Sequence, residues 1–406
     1  MKLSSRVRRS RAPAVPTVAA QAAALRAAGR RVISLAADEP DFAVPEPVLE
    51  AARRACATSA NHRHASPPAG WPRLRAAAAQ ALSAPGGTAL AEDQVVVTNG
   101  ARQALLLACA VTVDAGDEVL LPVPSWPGHS AAVTHHGGVP VPVPTTAETA
   151  YKVTPQSLEA AWTPRTTALL LGSPANPTGT VYTPAELRAI AAWAAAHDLW
   201  VISDEVYQHF VYGRDTPFLA LRDAHESMPE RCLTVHGVSR TYAMTGWRVG
   251  WLAGPRPAIA AATALRSHLP APVSNVAQAA ALAALDCGTS HLSPVLAALD
   301  RRRTLTHQVL GGLRGVQCVE PRGGYFCLLD VRGLLGKEIH GHVPRTSRDL
   351  AEYLLNQVLV AVAPGEEFDA PGHLRLSYAL ADEPLVNALA LVQRALAHGV
   401  HHPAHH

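Results

Sequence analysis

From Val95 onward, short and largely apolar runs alternate with helical stretches, and this alternation limits the possible fold more than any other feature of the chain. Val95-Val96-Val97, Glu118–Pro122, Ala168–Leu171, Trp200–Ser203, Cys232–Val235 and Val249–Ala253 read as strands. Ala101–Val111 reads as a helix, as does the segment from Pro184 to His197. There Thr183 is placed to cap, Pro184 sits at the first helical position and Glu186 closes a capping box. Strands apolar along their whole length need cover on both faces, so the expectation is an α/β fold with a mostly parallel central sheet. Ligands in such sheets bind beyond the carboxyl ends of the strands. A smaller C-terminal α+β domain is expected from the Cys327–Asp330 strand, the Asp349–Leu359 helix and the Leu374–Tyr378 strand. The expected division is residues 1–45 as an arm and a segment packing on the small domain, 46–300 as the large domain, 301–397 as the small domain and 398–406 as a tail. The helix Val18–Ala28 and a turn around Asp38-Glu39-Pro40-Asp41 belong to the first of these.

Composition removes several function classes. Of 406 residues, 48% are hydrophobic and 17% charged, which supplies a large core and excludes a disordered chain. A net charge of +3 is too balanced for a nucleic-acid footprint. No apolar run is long enough to span a membrane, and the basic N-terminus lacks the apolar stretch of a secretory signal. Cys56, Cys109, Cys232, Cys287, Cys318 and Cys327 are scattered without a C-x-x-C pair, which fits a reducing cytoplasm and argues against a disulfide framework or zinc site. The histidines of the tail could bind metal, but a frayed end is the simpler expectation. Only three lysines occur: Lys2, Lys152 and Lys337.

Four segments that follow strands carry chemistry. Val97-Thr98-Asn99-Gly100-Ala101-Arg102 passes from strand through a glycine turn into a helix, whose first amide groups suit a phosphate. In Pro174-Ala175-Asn176-Pro177-Thr178-Gly179 an asparagine is held stiffly near two prolines; a plain tight turn would look the same. Asp204-Glu205-Val206-Tyr207 places carboxylates at the end of a buried strand, where they need a partner, whether a ligand or a structural cation. The string from Ser239 to Trp251, with Met244-Thr245-Gly246-Trp247-Arg248-Val249-Gly250 at its centre, is the densest in constrained residues. No G-x-G-x-x-G follows a strand, so a dinucleotide-binding Rossmann protein is excluded.

Together with Glu39-Pro40-Asp41-Phe42, Pro67-Pro68-Ala69-Gly70 and Leu374-Arg375-Leu376-Ser377-Tyr378, these strings resemble the class I/II aminotransferases, fold-type I enzymes that use pyridoxal 5′-phosphate (PLP), over nearly the whole chain. The resemblance implies a PLP-transferase fold, a homodimer with shared sites, and a small-molecule substrate bearing a carboxylate, with neither nucleic acid nor membrane as partner. It implies that Asp204 pairs with the protonated ring nitrogen of the cofactor, with His129 behind it, and that Trp126 stacks on the ring. Asn176 and Tyr207 would bond the ring's phenolic oxygen, Ala101, Arg102 and Arg248 would hold the phosphate, and Arg375 would clamp the substrate carboxylate.

The pattern breaks at its centre. The family's Schiff-base lysine lies eight residues before the arginine of the MTGWR string, and that position is Arg240. A guanidinium stays protonated in proteins, so it serves neither as the imine-forming nucleophile nor as a general base. Asp38 stands where the family has glycine, beside the carboxylate clamp, and Ala65 where it has a tyrosine. The reading that follows is an aminotransferase-like enzyme that binds PLP or pyridoxamine 5′-phosphate noncovalently. It would act on an amino-acid-like or keto-acid substrate by a lysine-independent route, with Arg240, Tyr207 and Asp204 in catalysis and Asp38 and Arg375 at the substrate. Two alternatives stand beside it: a conventional class I/II aminotransferase inactivated by Lys-to-Arg replacement at 240, and a dimeric scaffold without catalysis.

Overall fold

The computed structural model describes residues 17–64, 67–83, 87–213, 217–268 and 272–397. The basic arm with Lys2, Ala65 and the histidine-containing tail lie outside the described residues. Seven strands form the central sheet in the spatial order Val95–Thr98, Gly250–Ala253, Cys232–Gly237, Trp200–Asp204, Thr166–Gly172, Glu118–Val123 and Val139–Pro144. The pairs from Cys232–Gly237 through to Val139–Pro144 are parallel, and Gly250–Ala253 runs antiparallel to both its neighbours. The sheet is therefore mostly parallel, as the all-apolar strands predict. Leu169, Leu170, Val201 and Ile202 are wholly buried, because helices cover both faces.

One strand of the central sheet escapes the sequence reading. Val139–Pro144 alternates valine with proline, and proline cannot donate to a ladder, so the segment does not look like a strand. It is tolerated because it occupies the sheet edge, paired only to Glu118–Val123. The capping box at Thr183 forms as read: Glu186 N–H donates to Thr183 Oγ1 at 3.3 Å, and Thr183 N–H donates to Glu186 Oε2 at 2.7 Å. That helix spans Pro184–Ala196.

A second sheet, ordered Ala363–Pro364, His373–Ser377, Phe326–Asp330 and Gln317–Cys318, is antiparallel throughout. The N-terminal segment joins this side of the molecule. Ile33–Ser34 pairs in parallel with Val360–Ala361, and Val18, Ala22 and Leu35 share one apolar cluster with Leu350, Leu354 and Leu389. Position 301 falls inside a continuous helix, Leu292–Gly311. Tyr207, Phe210 and Tyr212, which follow a strand of the large sheet, are buried in the same cluster as the smaller sheet. This shared core brings residues 36–39 across the carboxyl ends of the central strands.

Candidate active site

Five of the central strands deliver a piece of the site at or just beyond their carboxyl ends, and the antiparallel Gly250–Ala253 strand is preceded by another, Arg248. The Val95–Thr98 strand turns at Gly100 into the helix Ala101–Thr112. Gly100 has φ +79°, and a Cβ there would strike the Arg248 guanidinium, so only glycine lets that side chain lie against the turn. Gly250 fits equally closely: a Cβ would come within 2.5 Å of the Ala101 nitrogen. The last glycine of the MTGWRVG string is thus required for that segment to meet the helix start. Arg248 itself adopts a left-handed backbone, φ 58° and ψ 50°, a conformation that bulky residues hold at a cost and that concentrates at functional sites.

Asp204 ends the Trp200–Asp204 strand, and its Oδ2 lies 2.9 Å from His129 Nε2. His129 is buried on the helix Pro127–His135, so the histidine fixes the carboxylate from behind while Asp204 faces open space. Trp126 begins that helix and meets His129 edge-on, with ring centroids 5.5 Å apart. The Arg102 guanidinium lies 5.2 Å from the centroid of Trp126.

Asp38, Ala101, Arg102, Trp126, His129, Asn176, Asp204, Tyr207, Arg240 and Arg248 all line a single cavity of about 500 Å³. Arg375 does not. It is 4% exposed, donating from Nη1 to Asn176 Oδ1 at 3.0 Å and from Nη2 to the Ala36 carbonyl at 2.8 Å. Burial lowers its pKa from the ordinary arginine value, and the nearby charge of Asp38 works in the opposite direction.

Arg240, on the short helix Val238–Thr241, reaches across the cavity rather than into it. Its Nη2 is 2.7 Å from Asp38 Oδ2, and its Nη1 donates to the Asp38 carbonyl and, at 3.1 Å, to Tyr325 Oη. The guanidinium lies 5.4 Å from the centre of the Tyr207 ring, while Tyr207 Oη donates to Asp38 Oδ1 at 2.9 Å. Burial works against the Arg240 charge, but Tyr207, Tyr325 and Asp38 outweigh it and hold the pKa above the usual arginine range. Burial likewise pushes the Tyr207 phenol well above its ordinary value. Neither group is available to accept a proton. Lys152 pairs with Glu186 at 2.8 Å, and neither it nor Lys337 lines the cavity.

Sequence reasoning gave no role to Glu39, Ser239, Thr245 or Tyr325. The first three line the cavity, and Thr245 Oγ1 donates to Glu39 Oε1 at 3.2 Å, tying the turn at Asp38–Asp41 to the MTGWR string. These three lie within motif strings, so position in a motif was their signal. Tyr325 had none beyond the two glycines before it. Among the described residues no cluster of His, Cys, Asp and Glu could hold a metal, and no helix is long and apolar enough to cross a membrane.

The cavity fits an anionic, aromatic cofactor. At the Gly100 turn, a helix N-terminus, Arg102 and Arg248 converge, and Arg248 has its pKa lowered by burial and then by repulsion from Arg102 and Arg240, the condition an added anion would relieve. Opposite stands Asp204, a carboxylate backed by histidine, with the Trp126 ring on the wall between them.

Comparison with known proteins agrees with this geometry. The family model for aminotransferase class I and II matches residues 30–391. An aspartate aminotransferase of Streptomyces avermitilis is 45% identical over 396 residues, covering 98% of this chain and 97% of the relative. A probable aspartate/prephenate aminotransferase of Thermus aquaticus is 38% identical over 400 residues, covering 97% and 99%. Among solved structures, the aspartate aminotransferase of Rhizobium meliloti superposes with a TM-score of 0.89 at 34% identity, covering 98% of this chain and 99% of that one. The aspartate aminotransferase of Thermus thermophilus solved with maleate gives 0.88 at 36%, covering 98% and 100%. The chain belongs to the class I and II aminotransferases, fold-type I enzymes that use pyridoxal phosphate and its pyridoxamine form.

Proposed function

We propose that this chain is a conventional class I/II aminotransferase pocket arrested at position 240, which holds PLP or pyridoxamine phosphate without a covalent bond. The observation that carries the reading is Arg240, a guanidinium bound into Asp38 and Tyr325 at the position of the anchoring amine, inside a cavity that otherwise keeps its cofactor-binding groups. This replaces the expectation of a lysine-independent route. Arg240 and Tyr207 are both held protonated, and the relatives named as aspartate and aspartate/prephenate aminotransferases support the conventional pocket.

When bound, the cofactor supplies an electron-withdrawing ring that acidifies a neighbouring C–H bond. The remaining work falls to this chain. Asp204, held by His129, keeps a proton on the ring nitrogen by charge pairing. The amides of Ala101 and Arg102, with the Arg248 side chain, hold the phosphate. Trp126 would cover one face of the ring, and Asn176 and Tyr207, which line the same cavity, would meet its phenolic oxygen. Arg375 is the candidate clamp for a substrate carboxylate. The relatives named as aspartate and aspartate/prephenate aminotransferases support an amino-acid or keto-acid substrate of that kind. The family resemblance also supports a homodimer with shared sites. The six free cysteines support a reducing, cytoplasmic setting. A large domain over 46–300 and a small one over 301–397, with 1–45 against the latter, is the proposed division; the separate sheets support it.

The test is covalent chemistry at 240. With PLP and borohydride, the protein as it stands should gain no mass, whereas Arg240→Lys should gain one cofactor per chain. A cofactor adduct on the unaltered chain would overturn the reading.

A further inference from the structure

Two residues of the cavity depart from the family pattern, Asp38 for glycine and Arg240 for lysine, and they are bonded to each other. Asp38 Oδ2 meets Arg240 Nη2 at 2.7 Å, its Oδ1 accepts from Tyr207 Oη at 2.9 Å, and its backbone carbonyl accepts from Arg240 Nη1. Each oxygen of the carboxylate thus has a partner, and the group is held on the cavity wall. Nearby, outside the cavity lining, Arg375 is buried with two of its donors spent on Asn176 and Ala36, while its Nε has no hydrogen-bond partner. An arginine buried this deeply with an unused donor is a costly arrangement that an anion normally relieves. Asp38 lies close enough to act on the charge of Arg375, yet no hydrogen bond joins them.

An incoming carboxylate thus meets a resident one. It must either displace Asp38 from Arg240 or settle beside it as a like charge, and both oppose binding in a partly desolvated pocket. We infer that Asp38 is the specificity-determining residue of this site: it occupies the carboxylate-recognition end, satisfies Arg240 in place of a substrate, and shuts Arg375 off from anionic ligands. The clamp is present but covered. Inactivation then has two linked parts, the lost amine at 240 and the plug at 38.

This inference rests on the proposed cofactor pocket, so PLP binding is titrated first, by absorbance, and its failure sinks that reading. Succinate, a dicarboxylate with no amine to react, is titrated by calorimetry on the protein both with and without PLP, so the comparison at Asp38 is read whether or not the cofactor binds. Asp38→Gly and Asp38→Asn should bind succinate at least about tenfold more tightly than the unaltered chain. Asp38→Asn keeps the size of the side chain and an acceptor for Tyr207, so it remains informative where the glycine variant fails to fold. Adding Arg375→Ala should abolish the gain. Equal succinate affinity with and without Asp38, or a gain that survives loss of Arg375, would overturn the assignment.

Discussion

At the strand-end side of the cavity, the side chains face inward with capacity to spare; at the loop side, they have consumed one another. Arg102 and Arg248 form no ion pair among the described residues, and the helix beginning at Ala101 points its amides at the space between them. Across the cavity, Asp38, Arg240, Tyr207 and Tyr325 make a closed set of bonds. Both ends are lined with arginine, yet only one has been given its anion by the polypeptide. The difference teaches that the charge count of a pocket says little about what it will bind. What matters is whether the counter-ion is covalently part of the fold.

The comparison is most easily broken at the open end. Replacing Arg248 with alanine should cost about 4 kcal/mol of PLP binding, roughly a thousandfold, since two charge-assisted bonds to phosphate go with it. Asp38→Asn should change PLP affinity by no more than about threefold, because the closed end contributes no phosphate contact. Equilibrium titration followed by cofactor absorbance reads both. Comparable losses from the two variants would mean that the ends are not independent.

Much of the open end was legible in the sequence because its geometry is local. Gly100 must be glycine at φ +79°, while Asp204 ends and Asn176 follows apolar strands that lie side by side in parallel. The closed end was legible only as a list of anomalies. Arg240 stands out against the family resemblance, but its partner is 202 positions away, and nothing in either segment says that a loop from the N-terminal side will cross the strand ends. The burial of Arg375 is similar: the motif names it as a clamp, and only the fold shows Asn176 and Ala36 already holding it. The Val139–Pro144 strand was illegible for a different reason, since its alternating prolines are permitted solely by an edge position that topology decides.

A second, slightly smaller effect separates two adjacent carboxylates. Asp204 turns to the cavity and to His129, while Glu205 turns into the core, accepting from Ser203 Oγ at 2.7 Å and Leu221 N–H at 3.1 Å. Burial pushes Glu205 up to about 7 from an ordinary 4.5. The folded state therefore binds this proton more tightly than the unfolded chain does. The stability its neutral form contributes is complete below the unfolded value and is lost as pH rises through the folded one, to a total on the order of 3 kcal/mol. Denaturation midpoints measured from about pH 4 to about pH 8 should fall more steeply for the unaltered protein than for Glu205→Gln. Parallel curves would show that Glu205 ionises normally in the fold, and that the floor beneath Asp204 is wetter than its 2% exposure implies.

The smallest effect sharpens the closed end. Tyr325 is wholly buried and its hydroxyl accepts from Arg240 Nη1 at 3.1 Å, so Tyr325→Phe removes one charge-assisted bond while leaving the ring packing against Tyr207 and Phe210. Nη1 keeps the Asp38 carbonyl as an acceptor, and the ion pair through Nη2 is untouched. The loss should be about 1 kcal/mol of folding stability with PLP affinity unchanged. Succinate affinity should remain as weak as in the unaltered chain, because the resident carboxylate is still seated. If this variant admits succinate as readily as Asp38→Asn does, the plug depends on the whole bonded set rather than on the charge of Asp38, and the loop side of the cavity is held shut by packing of Arg240 instead of by its counter-ion.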